Sequence, residues 1–348
     1  MRKFDYSFLK NAAVPVAIME YTNGIAEIKA LQESRKRNYI DIFTKLESIA
    51  KVQSVKGSNA IEGIITTDKR IEEIVNNASA PLNHNEAEIA GYRDALNLIH
   101  SGYDTIDVKE QDILRLYGIL LNYTNYPARG QYKQSDNVIM ETDSAGNRRV
   151  RFTPASASET PKAMEQAVLA YMDARGDSNI NQLLLIPCFI LDFLCIHPFA
   201  DGNGRMSRLL SLLLLYKNGF DAGKYISFEE QINKRKDIYY EALRRSSAGW
   251  ESGSNDYIPF VQNFILTLLL CYKELDKRFA LLNEKKVNKK QRIEATVLNS
   301  LVPISKSDIS FILPDISATT IEAVLSSMLK SGAIKKTGAN RNARYLKV

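Results

Sequence analysis

The chain has 348 residues, more than one hydrophobic core usually holds, so two or three domains are expected. Hydrophobic residues make up 45% and charged residues 25%, the balance of an ordinary soluble globular protein. The net charge of +6 is uneven: Lys285 to Val348 carries 12 Lys and Arg against 4 Asp and Glu, which leaves −2 for the rest and confines any nucleic-acid argument to the C-terminal segment.

The opening stretch MRKFDYSFLK sets charges where the apolar core of a secretory signal would begin. Residues 25–56 read as helix, with Ile25, Ile28, Leu31, Ile42, Leu46 and Ile49 near a 3.6-residue period, until Gly57 interrupts. Helices are expected again over 85–100 and 108–121. Between Gly130 and Phe152 the pattern changes: NVIM, a turn-like DSAGN and RRVRF suggest a β-hairpin. Helical spacing returns over 160–172 and 181–196. The stretch 205–216 is apolar on nearly every side, so it belongs in the middle of a core, and Asn218-Gly219 ends it. Two more helices follow near 236–245 and 258–282. EKKVNKK reads as a charged linker, with three short helical patterns and a strand–turn–strand pattern beyond it. The expected fold is mainly α, divided at about 1–105, 106–283 and 284–348. No run reads as able to cross a bilayer; ILDFLCI, ahead of His197, is too short and contains Asp192. Cys188, Cys195 and Cys271 have apolar neighbours and form no CxxC pair, so they read as buried small hydrophobes in a reducing, cytoplasmic setting.

Chemistry concentrates in HPFADGNGRMSR, from His197 to Arg208. Gly202 and Gly204 let backbone approach a ligand closely, and the loop opens into a helix whose first N–H groups lack internal partners and point at an anion. Arg205 and Arg208 lie three apart on one helix face and both reach phosphate oxygens. Asp201 offers a hard oxygen ligand for Mg²⁺, and His197 can take a proton from a hydroxyl near neutral pH. Two arginines at a buried helix start require an anionic partner, a ligand or a carboxylate.

This stretch resembles the Fic family signature HxFx[D/E]GNGRxxR, with every specified position matched. The resemblance implies a mostly helical core over about 108–270 and transfer of a nucleotide-derived group, most often AMP from ATP, to a Ser, Thr or Tyr hydroxyl of a protein, itself included. It assigns His197 as catalytic base, Asp201 as Mg²⁺ ligand, and Asn203 with the surrounding backbone to the α-phosphate. Arg205 and Arg208 fall to the distal phosphates, Phe199 anchors the loop, and the whole run Asp201, Gly202, Asn203, Gly204, Arg205, Met206, Ser207 and Arg208 counts as ATP-binding. The hairpin resembles the family's flap, which holds the target by strand addition, with Val138, Ile139, Met140 and Glu141 nearest the nucleotide. GQYK carries Lys133 where the family usually has Arg, which keeps the charge but not the planar fork. Tyr239 and Tyr240 resemble the tyrosine pair lining the adenine site, and Ser247 stands where an Asn is common.

SNAIEG, from Ser58 to Gly63, resembles the inhibitory motif [S/T]xxxE[G/N] of Fic proteins, and Glu62 is the only Glu in the chain followed by Gly or Asn. The resemblance implies that Glu62 pairs with Arg208 and denies it to phosphate, so the α-phosphate is misaligned for attack. The last segment reads as a winged helix, with 317–329 as the second helix of a helix-turn-helix and Lys335, Lys336, Arg341 and Arg344 on the wing. Those charges suit DNA phosphates, yet SATTIEAVLSSMLK offers few base-reading side chains, which favours protein docking. Other readings stay open at this stage: another nucleotide donor, removal of AMP, or a DNA-binding regulator that senses nucleotide. No membrane partner is expected, and self-association is undetermined.

Overall fold

The 3.6-residue apolar period that dominates the chain is realised as fourteen helices among the described residues. The computed structural model describes residues 2–142, 148–283, 288–298, 300, 303–338 and 343–348. After a short 3-10 turn at Ser7–Asn11 come α1 (Val16–Asn38), α2 (Ile40–Ile61), α3 (Asp68–Asn77), α4 (His84–Gly102) and α5 (Glu110–Leu120). The hairpin of β1 (Ile139–Thr142) and β2 (Arg148–Phe152) follows, then α6 (Thr160–Arg175), α7 (Gln182–Ile196), α8 (Asn203–Lys217), α9 (Phe228–Asn233), α10 (Lys236–Ser247) and α11 (Ile258–Asn283). The C-terminal run is α12 (Lys289–Leu298), β3 (Ile304–Ser305), α13 (Lys306–Ile312), α14 (Ala318–Lys330), β4 (Ile334–Thr337) and β5 (Arg344–Lys347).

The chain folds as two compact units, residues 1–27 with 50–271 and residues 28–49 with 272–348. The boundaries between them along the chain fall inside α1, α2 and α11. In the first unit α7 and α8 pack side by side, with α6 and α10 against α7 and with α4 and α5 against α8. Every α8 residue from Arg205 to Tyr216 is buried, as its all-round apolarity requires. In the second unit Phe43 stacks on Phe279 at 4.9 Å, and Arg35 pairs with Asp276. Ile293, Val297, Ile309, Ile321, Leu325 and Tyr345 are among the residues of its buried core. Its sheet is antiparallel in the order β3-β5-β4, and a Ser305–Asp308 capping box opens α13.

Four sequence expectations are corrected. The helix expected over 25–56 is two helices parted at Tyr39, and Gly57 lies inside the second, where a Cβ would press on the Glu230 backbone of α9. Helices α3 and α9 escaped the periodicity because each is short; α3 buries only Ile71 and Ile74. The hairpin strands span only 139–142 and 148–152, and its turn, 143–147, lies outside the described residues. Residues 258–279 of α11 are long and apolar enough to cross a membrane by composition, although most of that stretch is buried in the fold.

Candidate active site

His197 is the C-cap of α7, and its backbone is left-handed at φ 53° and ψ 60°. That conformation costs a non-glycine residue about 1 kcal/mol, strain of the kind that concentrates at functional positions. Its Nδ1 lies 3.2 Å from the Leu194 carbonyl; donating there fixes the proton on Nδ1 and leaves Nε2 as the acceptor. Burial pushes the imidazole pKa down to about 4, with Lys133 adding to the fall and the Leu194 bond opposing it. The ring is therefore neutral at pH 7.

The loop beyond His197 is fastened at each step. The Lys133 backbone N–H donates to Pro198 O at 2.9 Å, and its buried ammonium donates to Ile196 O and Asn137 Oδ1. Lys133 thus grips the carbonyls on both sides of His197, work for which a point charge serves as well as a fork, and burial brings its pKa to about 8. Phe199 is wholly buried and stacks on Tyr117 with ring centroids 3.7 Å apart, the expected anchor. Asn203 accepts the Phe199 N–H and donates to the Phe199 carbonyl. Both polar ends of its side chain help close the loop, and one of the two Nδ2 donors is used in doing so. Gly202, at φ 78°, is the N-cap that turns the chain into α8.

Both arginines of α8 are almost fully buried, and both have carboxylates. Arg208 donates to Glu62 Oε1 at 2.8 Å and to both the hydroxyl and the carbonyl of Ser58. Arg205 lies against Glu88 at 2.5 Å and Asp201 at 3.3 Å. The Asp201 side chain is 62% exposed. Met206 is buried in the core, and the Ser207 hydroxyl donates to Gly204 O beside the cavity-lining Tyr239.

Glu62 follows directly on α2 because the helix ends there in a Schellman motif: Gly63, at φ 79°, donates to Ala60 O, and Ile64 donates to Asn59 O. The Glu of the motif carries the charge, and the Gly ends the helix so that the charge stays in place. Lys236 also donates to Ile61 O at this terminus. The carboxyl passes so close to Gly204 that a Cβ there would collide with Oε1. Burial works to raise the Glu62 pKa, but Arg208, Arg205 and Lys236 outweigh it and hold the group below the usual glutamate value.

A cavity of about 160 Å³ joins these groups, lined by Glu62, His197, Gly204 and Arg208, by Tyr239 and Tyr240, and by Arg151 and Ser247. The tyrosine rings meet edge to face at 5.5 Å. Of the four flap positions expected near a nucleotide, Ile139 lines the cavity, while Val138 lines a separate cleft and Met140 is exposed. The Glu141 side chain lies outside the described residues. Sequence reading missed Arg151, whose guanidinium lies over the Tyr240 ring at 5.6 Å, and Glu88; neither belongs to a local motif. Among the described residues no group of three His, Cys, Asp or Glu side chains could hold a metal ion. A lone exposed carboxylate such as Asp201 fits Mg²⁺, which takes its other ligands from water and substrate phosphates.

Residues 107–215 match the Fic/DOC family profile. A Fido domain-containing protein of Dictyostelium discoideum is 31% identical over 119 residues, 34% of this chain and 77% of that protein. The chain belongs to the Fic/DOC family. It is also similar to the protein adenylyltransferase Fic of Nematostella vectensis, 26% identical over 61% of this chain, though it spans only 46% of that protein's length. A solved Fic family protein of Desulfovibrio desulfuricans shares the fold, with a TM-score of 0.61 at 21% identity and 97% of each chain covered. The Fic profile begins three residues before α5, so Ser58, Glu62 and Glu88 all reach the Fic loop from outside it.

Proposed function

We propose that this Fic protein transfers AMP from ATP to a Ser, Thr or Tyr hydroxyl of a target protein and is held inactive by Glu62. One observation carries the reading: a neutral, buried His197 and an Arg208 held by Glu62 line the same cavity as Tyr239 and Tyr240. The name of the Nematostella relative, a protein adenylyltransferase, supports the same chemistry.

The hydroxyl would give its proton to His197 Nε2 as its oxygen attacks the α-phosphorus. The bond from that phosphorus to the bridging oxygen breaks, and pyrophosphate leaves. The N–H groups at the start of α8 face the charge that develops, and Arg205 and Arg208 take the distal phosphates. Asp201 would hold Mg²⁺, which supplies charge neutralisation on the phosphate oxygens. Glu62 opposes this by occupying the Arg208 fork. Ser247 and Arg151, which also line the cavity, govern the choice of base, so donor selectivity is the finer part of the proposal.

Within the second unit, residues 289–347 run helix, strand, two helices and two strands, the order of a winged helix. We assign it to protein docking. Beside Glu322 and Lys330, the exposed face of α14 presents the small side chains Ala318, Thr319, Ala323 and Ser326, which offer little to read bases; Lys335 and Lys336 stand exposed on β4, while Arg344 is paired with Asp308 and Lys306 with Glu322. Arg341 lies outside the described residues. The buried free cysteines suit a cytoplasmic location.

Incubation of the full chain and its Glu62→Gly variant with ATP labelled at the α- or the γ-phosphate tests the reaction. Label from the α position alone is expected on protein, with excess GTP, CTP and UTP as competitors for the base. Transfer from the γ position would overturn the proposal.

A further inference from the structure

Glu88 lies on α4, outside the stretch that matches the Fic profile, yet its carboxylate meets Arg205 of the Fic loop. It is 7% exposed; Oε2 is 2.5 Å from Arg205 Nη1, and Oε1 is 2.6 Å from Nε2 of His84, one helical turn earlier. Arg205 itself is 1% exposed. The contact is close, but the N–H groups are not aimed along it: Arg205 Nε and Nη1 and Glu88 Oε2 make no hydrogen bond among the described residues. Arg205 is therefore held in place by charge while part of its donor fork stays unused, the condition of a buried cation awaiting an anion. Its other carboxylate, Asp201, is mostly exposed and is the group assigned to the metal. Asp201 cannot both turn to a metal and restrain Arg205, whereas Glu88 is fixed by its helix and by His84.

We propose that Glu88 is a positioning residue for Arg205, keeping the guanidinium on station for the distal phosphates when Asp201 is engaged elsewhere. This rests on the AMP-transfer reading. The charge of Glu88 also competes with phosphate for Arg205, so its removal does not weaken ATP binding. What is lost is the fixed direction of the guanidinium, and with it stabilisation of charge on the departing pyrophosphate. The two effects separate a positioning role from a merely structural one.

The test uses the full chain carrying Glu62→Gly as parent, with Glu88→Gln, Arg205→Ala and both together added to it. Glu88→Gln is expected to lower transfer at saturating ATP by about tenfold or more while the Kd for ATP stays level or tightens. In the Arg205→Ala background it is expected to have little further effect, because its influence passes through that arginine. A Glu88→Gln rate within twofold of the parent overturns the proposal. So does a parallel loss of rate, ATP affinity and AMP affinity with a lowered Tm, which would make Glu88 a fold residue only. A parent that transfers no AMP fells the AMP-transfer reading and this proposal together, whereas an active parent with an equally active Glu88→Gln variant fells the proposal alone.

Discussion

At the scale of single residues, His197 couples backbone strain, burial and tautomer. A general base works when neutral, and a base is neutral above its pKa, so a pKa lowered to about 4 moves the acid limb of the rate well below that of an ordinary histidine. The kcat/KM of the Glu62→Gly protein is therefore expected to stay level as pH falls from 8 towards 5; a decline centred near 6.5 would show that burial does not govern the ring. His197→Ala is expected to lower transfer by roughly 10²- to 10⁴-fold, the usual contribution of a general base, with ATP affinity within a few-fold of the parent. Calorimetry and labelling on the same preparation separate the two effects, and unchanged labelling would remove His197 as the base. The gathering of His197, Gly204 and Arg208 was legible in the sequence because the twelve residues of the loop are contiguous and their chemistry is local. The burial of the Met206 side chain was not, because which side chains face the core depends on how Phe199 seats against Tyr117.

At the scale of elements, α2 works as a holder for one carboxylate. Gly63 sits at φ 79°, where any side chain is strained by about 1 kcal/mol or more. Gly63→Ala is expected to loosen the end of α2, lower Tm slightly and raise transfer above wild type; the same Tm loss with no gain in rate would mean that the helix end does not hold Glu62 in place. A second device steadies α7 from the N-terminal segment. Asp192 is wholly buried and accepts from Tyr6, Trp250 and Tyr257, with Arg2 at 3.7 Å. Burial raises its pKa and Arg2 opposes this, so Arg2→Ala is expected to destabilise the fold by about 3 kcal/mol, measured by denaturant unfolding. A change under about 0.5 kcal/mol would place Arg2 among ordinary surface cations. The helices were legible wherever apolar residues kept their period for three turns. The continuation of α2 through Gly57 was not, because close packing on α9 decides it.

At the scale of the whole molecule, the site is assembled from segments far apart in sequence. Ser58 and Glu62 meet Arg208 across roughly 150 residues, and Arg151 meets Tyr240 across 89. Only the first of these meetings was legible, through the resemblance of SNAIEG to a known motif; Glu88 and Arg151 sit in no such pattern. The excess charge of the C-terminal segment was legible, but the pairing of Arg344 with Asp308 was not. Full-length protein is accordingly expected not to retard a mixed-sequence DNA duplex at about 0.15 M salt, and retardation that fades steeply with added salt would reassign the segment to phosphate contact. The central claim is that one guanidinium serves either the brake or the substrate. Label transfer from ATP by wild type, Glu62→Gly, Arg208→Ala and the double variant, all at saturating ATP, tests it most directly. Glu62→Gly is expected to be strongly activated and the double variant to match Arg208→Ala alone, a fully non-additive cycle. A Glu62→Gly protein no faster than wild type, or one whose activation survives the loss of Arg208, would contradict the account.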